Sequence, residues 1–272
     1  MKRRGFTLIE LIVVISIIVM LVAITTRVLQ HVKNEARTVV CQSNIRNLQL
    51  QFQIYQEDHG AMPYGFTFRF DPPAPGWYMG DLRVDAPGWY WPNYLGIVKN
   101  RGRRDEKIMT CPSKNMDDYL LEFSVLAGNY GVNRSICRSG REIYSKYEEG
   151  FGGPPVSANS VRRPGETLLL VDSGYAMICW WQVRDDPLME IQSGSMADTA
   201  YVPGLSTNQA RDLLPGQIDD AVNGRHPGKT VNVGYVDGHI EREKAEDLLV
   251  RKADDGSYHN LPLWEPNPRR AN

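Results

Sequence analysis

The chain has 272 residues, 42% of them hydrophobic and 23% charged, which is enough for one sizeable folded domain or two small ones. Its 31 basic and 32 acidic residues give a net charge of −1, so the overall basic surface typical of nucleic-acid binding is absent. No nucleic-acid partner is therefore expected.

The first stretch of the chain combines a basic start with a long apolar run. Lys2, Arg3 and Arg4 precede an apolar segment that continues to Ile24, about the length that a helix needs to cross a bilayer. The basic start predicts that the N-terminus stays in the cytoplasm and that the rest of the chain lies outside. Glu10 interrupts the run, and because an ionisable side chain at membrane depth is costly, it indicates a functional role.

Three interpretations of this stretch compete. A cleaved signal peptide would end in a small-x-small site, which the sequence AIT at residues 23–25 matches poorly. A plain membrane anchor gives no reason for Glu10. The basic residues followed by GFTLIE at residues 5–10 closely resemble the processing motif of type IV prepilins and type II secretion pseudopilins.

That resemblance implies a processing reaction and a set of partners. Prepilin peptidase would cut between Gly5 and Phe6, where glycine leaves the backbone accessible, and would methylate the new N-terminus at Phe6. Glu10 would pair with the N-terminal amine of a neighbouring subunit, so that two buried charges neutralise each other. The implied partners are prepilin peptidase, other pilin or pseudopilin subunits in a homo- or hetero-filament, and the inner membrane. The implied location is a single pass through that membrane with an extracytoplasmic domain, and a periplasmic or surface filament after assembly.

A single long helix is predicted next, because no Gly or Pro occurs between Phe6 and His59. Beyond Thr26 the apolar residues narrow to one stripe, formed by Cys41, Ile45, Leu48, Phe52 and Tyr55. The spacing predicts an amphipathic helix that lies on a globular core.

The predicted organisation follows from this division. It comprises a leader peptide at 1–5, a transmembrane helix at 6–26, the amphipathic half of the helix at 27–60, a globular pilin-like domain at 61–260 and an irregular tail at 261–272. The expected fold class is α+β and pilin-like, with the long helix packed on an antiparallel β-sheet that carries large loop insertions.

Two hairpins and one helix are predicted within the globular part. The first hairpin joins residues 167–171 to 176–183 through a turn at 172–174. The second joins residues 230–236 to 240–243 around the sequence Asp-Gly at 237–238, a favoured hairpin turn. A short helix is expected over 244–252.

Several later motifs resemble a subgroup of pseudopilin-like proteins in which a late His precedes Asp-Gly. They occur in the order expected for that subgroup: the segment 41–60, WP at 91–92, CPS at 111–113, YGVN at 130–133, TLLLVD at 167–172, and His226 before Asp-Gly at 237–238. The interval from His226 to Asp237 is one residue longer than is usual in the subgroup.

Four cysteines, Cys41, Cys111, Cys137 and Cys179, lie on the side of the membrane expected to be oxidising. Four cysteines allow three pairings, and we predict Cys41 with Cys111 and Cys137 with Cys179. Buried free thiols that pack as small apolar groups are the alternative. No CxxC pair occurs, so neither a zinc site nor a thiol redox motif is expected.

Asp172, His226, Asp237 and His239 could converge as a metal shell if the two hairpins shared a sheet. The simpler interpretation is that Asp172 and Asp237 cap their own turns through hydrogen bonds to the backbone. We therefore predict no metal and no cofactor. No nucleophile elbow, HExxH or phosphate loop is present, so no catalytic residues are assigned and the chain is not expected to be an enzyme.

The sequence APGWY occurs twice, at 74–78 and 86–90. Trp77, Trp89 and Trp91 could form an exposed platform for a glycan or a peptide, which would make the chain a membrane-anchored binding protein. The other interpretation is a long loop folded over the core with its rings buried.

Overall fold

The computed structural model describes residues 7–67, 88–97, 107–116, 126–140, 151–185, 200–211 and 213–266. Its longest element is helix α1 (Leu8–His59), which has 52 residues and would be roughly 80 Å long at 1.5 Å per residue. The helix ends at Gly60, whose φ of 75° is the left-handed conformation that glycine accommodates at a helix C-terminus. The long helix predicted from the sequence is confirmed.

The two halves of α1 differ in burial. Large apolar side chains between Leu8 and Val32 are exposed around the whole helix. Farther along, one face is buried, and its residues are Thr38, Cys41, Asn44, Ile45, Leu48, Gln49 and Phe52. Tyr55, the last residue of the predicted stripe, is half-buried. The amphipathic half therefore lies on a folded core, as its spacing predicts.

Nine short strands follow α1 in the described part of the chain. In chain order they are β1 (Phe66–Thr67), β2 (Trp89–Tyr90), β3 (Tyr130–Asn133), β4 (Leu168–Asp172), β5 (Met177–Ile178), β6 (Thr230–Tyr235), β7 (Ile240–Lys244), β8 (Arg251–Lys252) and β9 (Tyr258–His259). Within the described ranges, the further α-helices are α2 (Trp91–Tyr94), α3 (Ile218–Asn223) and α4 (Leu261–Trp264).

Five of these strands form the main sheet, in the order β5-β3-β4-β6-β7. All neighbours in it are antiparallel except β3 and β5, which are parallel. Strands β1 and β2, and likewise β8 and β9, form two-stranded antiparallel sheets. A long apolar helix followed by a mixed α+β region with antiparallel sheets is consistent with a pilin-like fold, which is the predicted class.

The second predicted hairpin is confirmed, because β6 and β7 pair antiparallel on either side of Asp237-Gly238. The first is wrong: β3 lies between β4 and β5, so these two consecutive strands do not pair with each other. The residues Trp180–Val183, predicted as strand, form a 3-10 helix. The helix predicted over 244–252 is also wrong, since this stretch holds a 3-10 turn at Ala245–Leu248 and then β8.

Close packing of α1 against β6 depends on Gly234. A Cβ atom at this position would lie 2.6 Å from Gln49 Nε2 and 2.9 Å from Ile45 Cγ2, so glycine permits the approach of the helix. Gln49 Nε2 in turn donates a hydrogen bond of 2.8 Å to the carbonyl oxygen of Tyr235. The helix is thereby fixed on the sheet by both packing and a buried hydrogen bond.

The beginning of the predicted irregular tail is ordered. Trp264, at the end of α4, is fully buried, and its Nε1 donates to the carbonyl oxygen of Leu248 at 3.0 Å. The carbonyl oxygen of Trp264 accepts a hydrogen bond of 2.7 Å from Asn133 Nδ2. This end of the chain therefore docks on the sheet through an aromatic side chain, and residues 267–272 lie outside the described part.

Candidate functional site

Glu10 lies in the first turn of α1 and has a local partner. Its carboxylate accepts hydrogen bonds from the backbone N–H of Thr7 at 2.8 Å and from Thr7 Oγ1 at 2.7 Å. The Thr7 side chain accepts from the Glu10 N–H in return, which completes a capping box. The predicted processing residues Gly5 and Phe6 lie outside the described residues.

Hydroxyl groups within the apolar half of α1 are satisfied by the helix itself. Ser16 Oγ donates to the carbonyl oxygen of Ile12 at 2.7 Å, and Thr26 Oγ1 donates to that of Val22 at 2.7 Å. Among the described residues, α1 is the one helix long and apolar enough to cross a membrane. Internal satisfaction of its polar groups is what a lipid environment requires.

A second, buried feature lies where the amphipathic half of α1 meets the sheet. Cys41, Cys111, Asp172 and His226 each offer one potential ligand atom, and these four atoms all lie within 4.8 Å of one another. We call this group the Cys-Asp-His cluster. The two sulphur atoms are 2.7 Å apart, and His226 Nε2 is 3.1 Å from Asp172 Oδ2. All four residues are buried.

Different elements bring the members of the cluster together. Cys41 lies on α1, Cys111 follows a 3-10 turn at Lys107–Met109, Asp172 ends β4, and His226 precedes β6. Asn44, one turn along α1 from Cys41, donates to the carbonyl oxygen of Thr110 at 3.0 Å. This hydrogen bond fixes the segment that carries Cys111 against the helix.

Neighbouring polar groups orient Asp172 and His226. Asn232 donates to Asp172 Oδ2 from its backbone N–H at 2.7 Å and from its Nδ2 at 3.1 Å. Thr38 Oγ1 lies 3.1 Å from His226 Nδ1. Asp172 therefore binds Asn232 on the neighbouring strand β6 and does not cap its own turn. The prediction that Asp172 caps the turn that follows it is wrong.

Burial and the neighbouring charges set the protonation of the cluster. Burial lowers the pKa of His226, but the hydrogen bond and the charge of Asp172 outweigh it and raise that pKa to about 9. Burial raises the pKa of the Cys111 thiol well above its usual value, and the hydrogen bond with Cys41 adds to the effect. Before any ion binds, these shifts favour a protonated His226 and a neutral Cys111 thiol.

Directly beside His226, Arg225 forms a buried ion pair that sequence reasoning missed. Its Nε and a terminal nitrogen each donate to one oxygen of Asp220 at 2.7 Å. The same guanidinium donates to the carbonyl oxygens of Asn129 and Ser173, both at 2.8 Å. Both side chains of the pair are fully buried, so this arginine joins three segments next to the cluster.

Asp237 and His239 do not belong to the cluster. They form a pair at the exposed turn between β6 and β7, where Asp237 Oδ1 lies 2.6 Å from His239 Nδ1 and accepts from the His239 N–H at 3.0 Å. Asp237 therefore caps its own turn, as predicted. Of the four residues considered for a metal shell, the structure brings together Asp172 and His226.

All four cysteines are buried free thiols in the structure. The predicted partners Cys41 and Cys111 are adjacent without a covalent bond, and bridging stays a prediction. Cys179 Sγ donates to Gln182 Oε1 at 3.2 Å. Burial raises the pKa of the Cys137 thiol.

The aromatic segment contributes to the core where the structure describes it. Trp91 is fully buried and donates its Nε1 hydrogen to the carbonyl oxygen of Ala176 at 2.8 Å, with its ring 5.4 Å from that of Phe52. Trp89 is half-buried, and Trp77 lies outside the described residues. A buried Trp91 is not available to a glycan or a peptide, which agrees with the interpretation of a loop folded over the core.

Comparison with known proteins identifies the N-terminal segment. Residues 1–26 match the family model described as the prokaryotic N-terminal methylation motif. This motif, at the start of a long apolar helix, defines a prepilin-type N-terminus of the kind found in type IV prepilins and pseudopilins. It implies processing by prepilin peptidase and fits a membrane-anchored protein. No curated protein and no solved structure matches the chain.

Proposed function

We propose that the chain is a type IV pilin-like or pseudopilin subunit of a type II secretion or pilus system. Prepilin peptidase would cut between Gly5 and Phe6 and methylate Phe6, and the mature chain would then enter a filament. The observation that carries this proposal is the match of residues 1–26 to the methylation motif. The role is structural and not enzymatic.

The exposed apolar half of α1 supports both stages of this proposal. Its side chains pack against no other described part of the chain, so lipid or another protein must shield them from water. Before assembly the inner membrane supplies that cover, with the globular domain on the extracytoplasmic side as the basic start predicts. After assembly the apolar halves of neighbouring subunits supply it.

Glu10 would provide the selective contact during assembly. In the isolated chain its carboxylate binds Thr7, the residue that directly follows Phe6. Cleavage creates a positive amine on Phe6, and the carboxylate can exchange its local partner for the amine of a neighbouring subunit. The exchange neutralises two charges in an apolar environment, which a neutral side chain at position 10 cannot do.

The Glu10→Val variant tests this assembly contact in the native host. We expect normal cleavage and membrane insertion, because the change removes a charge from the apolar run. Incorporation into sheared filaments should fall at least about tenfold, the equivalent of about 1.4 kcal/mol. Glu57→Val is the matched control, since Glu57 is an exposed acid at the far end of the same helix. Normal incorporation of Glu10→Val would refute the pairing role.

A disulfide between Cys137 and Cys179 is part of the same proposal, because an extracytoplasmic domain folds in an oxidising compartment. The backbone N–H of Cys137 donates to the carbonyl oxygen of Asn133, and Cys179 follows Ile178. Asn133 and Ile178 are register partners in β3 and β5, so the two cysteines lie on adjoining segments. For Cys41 and Cys111, metal binding competes with disulfide formation, because a carboxylate and an imidazole lie beside their sulphur atoms.

A further inference from the structure

We propose that the Cys-Asp-His cluster binds one zinc ion through Cys41 Sγ, Cys111 Sγ, a carboxylate oxygen of Asp172 and His226 Nε2. The four potential ligand atoms lie within 4.8 Å of one another, so small side-chain shifts would bring all four onto a single ion between them. They come from four separate segments of the chain, so a site of this kind has no CxxC motif in the sequence.

An unpaired carboxylate oxygen is the first independent sign of a missing partner. Asp172 is fully buried, and its Oδ2 accepts two hydrogen bonds from Asn232. Its Oδ1 is buried and has no hydrogen-bond partner among the residues that the structure describes. Buried carboxylate oxygens are normally satisfied, and a cation bound in the cluster would satisfy this one.

The orientation of the His226 ring is the second sign. Thr38 Oγ1 donates its one hydrogen to the carbonyl oxygen of Asn34 at 3.0 Å. Because a hydroxyl has a single hydrogen to donate, its contact of 3.1 Å with His226 requires that Nδ1–H is the donor. Nε2 is the nitrogen that faces Asp172 Oδ2 and Asn232 Nδ2, each 3.1 Å away. A metal-binding histidine commonly has this arrangement, with one nitrogen on the ion and the other held by a hydrogen bond.

The donor set selects zinc. Two thiolates exclude magnesium and calcium, which prefer oxygen ligands, and the carboxylate makes the set less suitable for copper(I). Two cysteines, a histidine and an aspartate complete the tetrahedral coordination that zinc adopts in structural sites. With four protein ligands and no open position, the ion would have a structural and not a catalytic role.

Binding requires a small rearrangement of the two cysteines. Zn–S bonds of about 2.3 Å in a tetrahedral site place two sulphur atoms roughly 3.8 Å apart. The sulphur atoms are now 2.7 Å apart, so they would have to separate by about 1 Å. The two thiols and His226 Nε2 would also release their protons to solvent, since thiolate and neutral imidazole are the forms that bind metals.

The proposed ion would join α1 to the sheet. Cys41 is on the helix, whereas Asp172 and His226 belong to β4 and to the segment before β6. A filament subunit that experiences load through its long helix would gain a rigid connection there. A disulfide between Cys41 and Cys111 would exclude this ion, because sulphurs bonded to each other are not thiolates.

The test uses the full-length chain in detergent, purified under mild reduction without a histidine tag and equilibrated with zinc. Inductively coupled plasma mass spectrometry should find about one zinc ion per chain. Replacement of zinc by cobalt(II) should produce the near-ultraviolet charge-transfer band and the visible bands of tetrahedral thiolate coordination. These two measurements need no variant, so they decide the question even if substitutions in the cluster prevent folding.

Variants then locate the ion. Cys41→Ser and Asp172→Asn should each lose most of the bound zinc, whereas Cys137→Ser, a change of another buried thiol, should retain it. Thr38→Val should weaken zinc binding by about 10- to 100-fold, because the hydrogen bond that orients His226 is lost. Thr38→Ser, which keeps the hydroxyl, should bind zinc as tightly as the unmodified chain.

Three results would overturn the proposal. The first is folded, reduced protein that neither retains zinc nor develops the cobalt bands. The second is equal retention of zinc by Cys41→Ser, and the third is a bridge between Cys41 and Cys111 in protein collected from cells without reductant. Neither readout depends on N-terminal processing, so the zinc proposal and the proposed function can fail independently.

Discussion

The buried pair of Arg225 and Asp220 offers the sharpest test of how the domain is held together. Arg225→Met removes a guanidinium that makes two hydrogen bonds of 2.7 Å to the carboxylate and two of 2.8 Å to the carbonyl oxygens of Asn129 and Ser173. Breaking a buried ion pair by removing one partner costs about 3–5 kcal/mol, because the other charge stays buried without its counter-ion. We therefore expect the free energy of unfolding to fall by about that amount.

An exposed pair in the same domain supplies the matched control. Arg163 lies 3.0 Å from Glu166, and both side chains are 66% exposed. Arg163→Met should lower the free energy of unfolding by at most about 1 kcal/mol, since solvent screens such pairs. Urea unfolding of the full-length chain in detergent, followed by near-ultraviolet circular dichroism, measures both variants. Equal losses in the two variants would show that the buried arginine contributes no more than a surface charge.

Two other expectations concern the core and the cysteines. Gly234→Ala should lower the free energy of unfolding by about 1–3 kcal/mol, since the added methyl group enters the contact between α1 and β6. An unchanged urea midpoint would contradict close packing of α1 on β6 at this position. Peptide mapping of unreduced, alkylated protein from the outer compartment should recover Cys137 linked to Cys179. Alkylation of both thiols there would defeat that bridge.

The elements that sequence predicted correctly are those encoded by local signals. Helix α1 follows from a run without Gly or Pro, and its buried stripe follows from the spacing of residues such as Ile45 and Leu48. The hairpin of β6 and β7 follows from Asp-Gly between two strand-like runs. In each case the residues that determine the structure are neighbours in the chain.

The sequence predictions were wrong where the structure depends on contacts between segments that are distant in the chain. The turn after Asp172 predicted a hairpin, but β3 pairs with both β4 and β5 and separates them. No local pattern indicates that insertion. The Cys-Asp-His cluster is a similar case, because its members come together only through the packing of α1 on the sheet. The sequence signal for it is the presence of Asp172 and His226 in strand-associated motifs, whereas the cysteines by themselves favour disulfide bridges.

Mass spectrometry of the mature N-terminus tests most directly whether the chain is processed as a prepilin. Coexpression with a prepilin peptidase should remove residues 1–5 and leave an N-methylated Phe6. Gly5→Lys should block this cleavage, because the peptidase would meet a long charged side chain in place of a bare backbone. A mature N-terminus near Thr26 would instead identify an ordinary signal peptide and would contradict the account of a filament subunit.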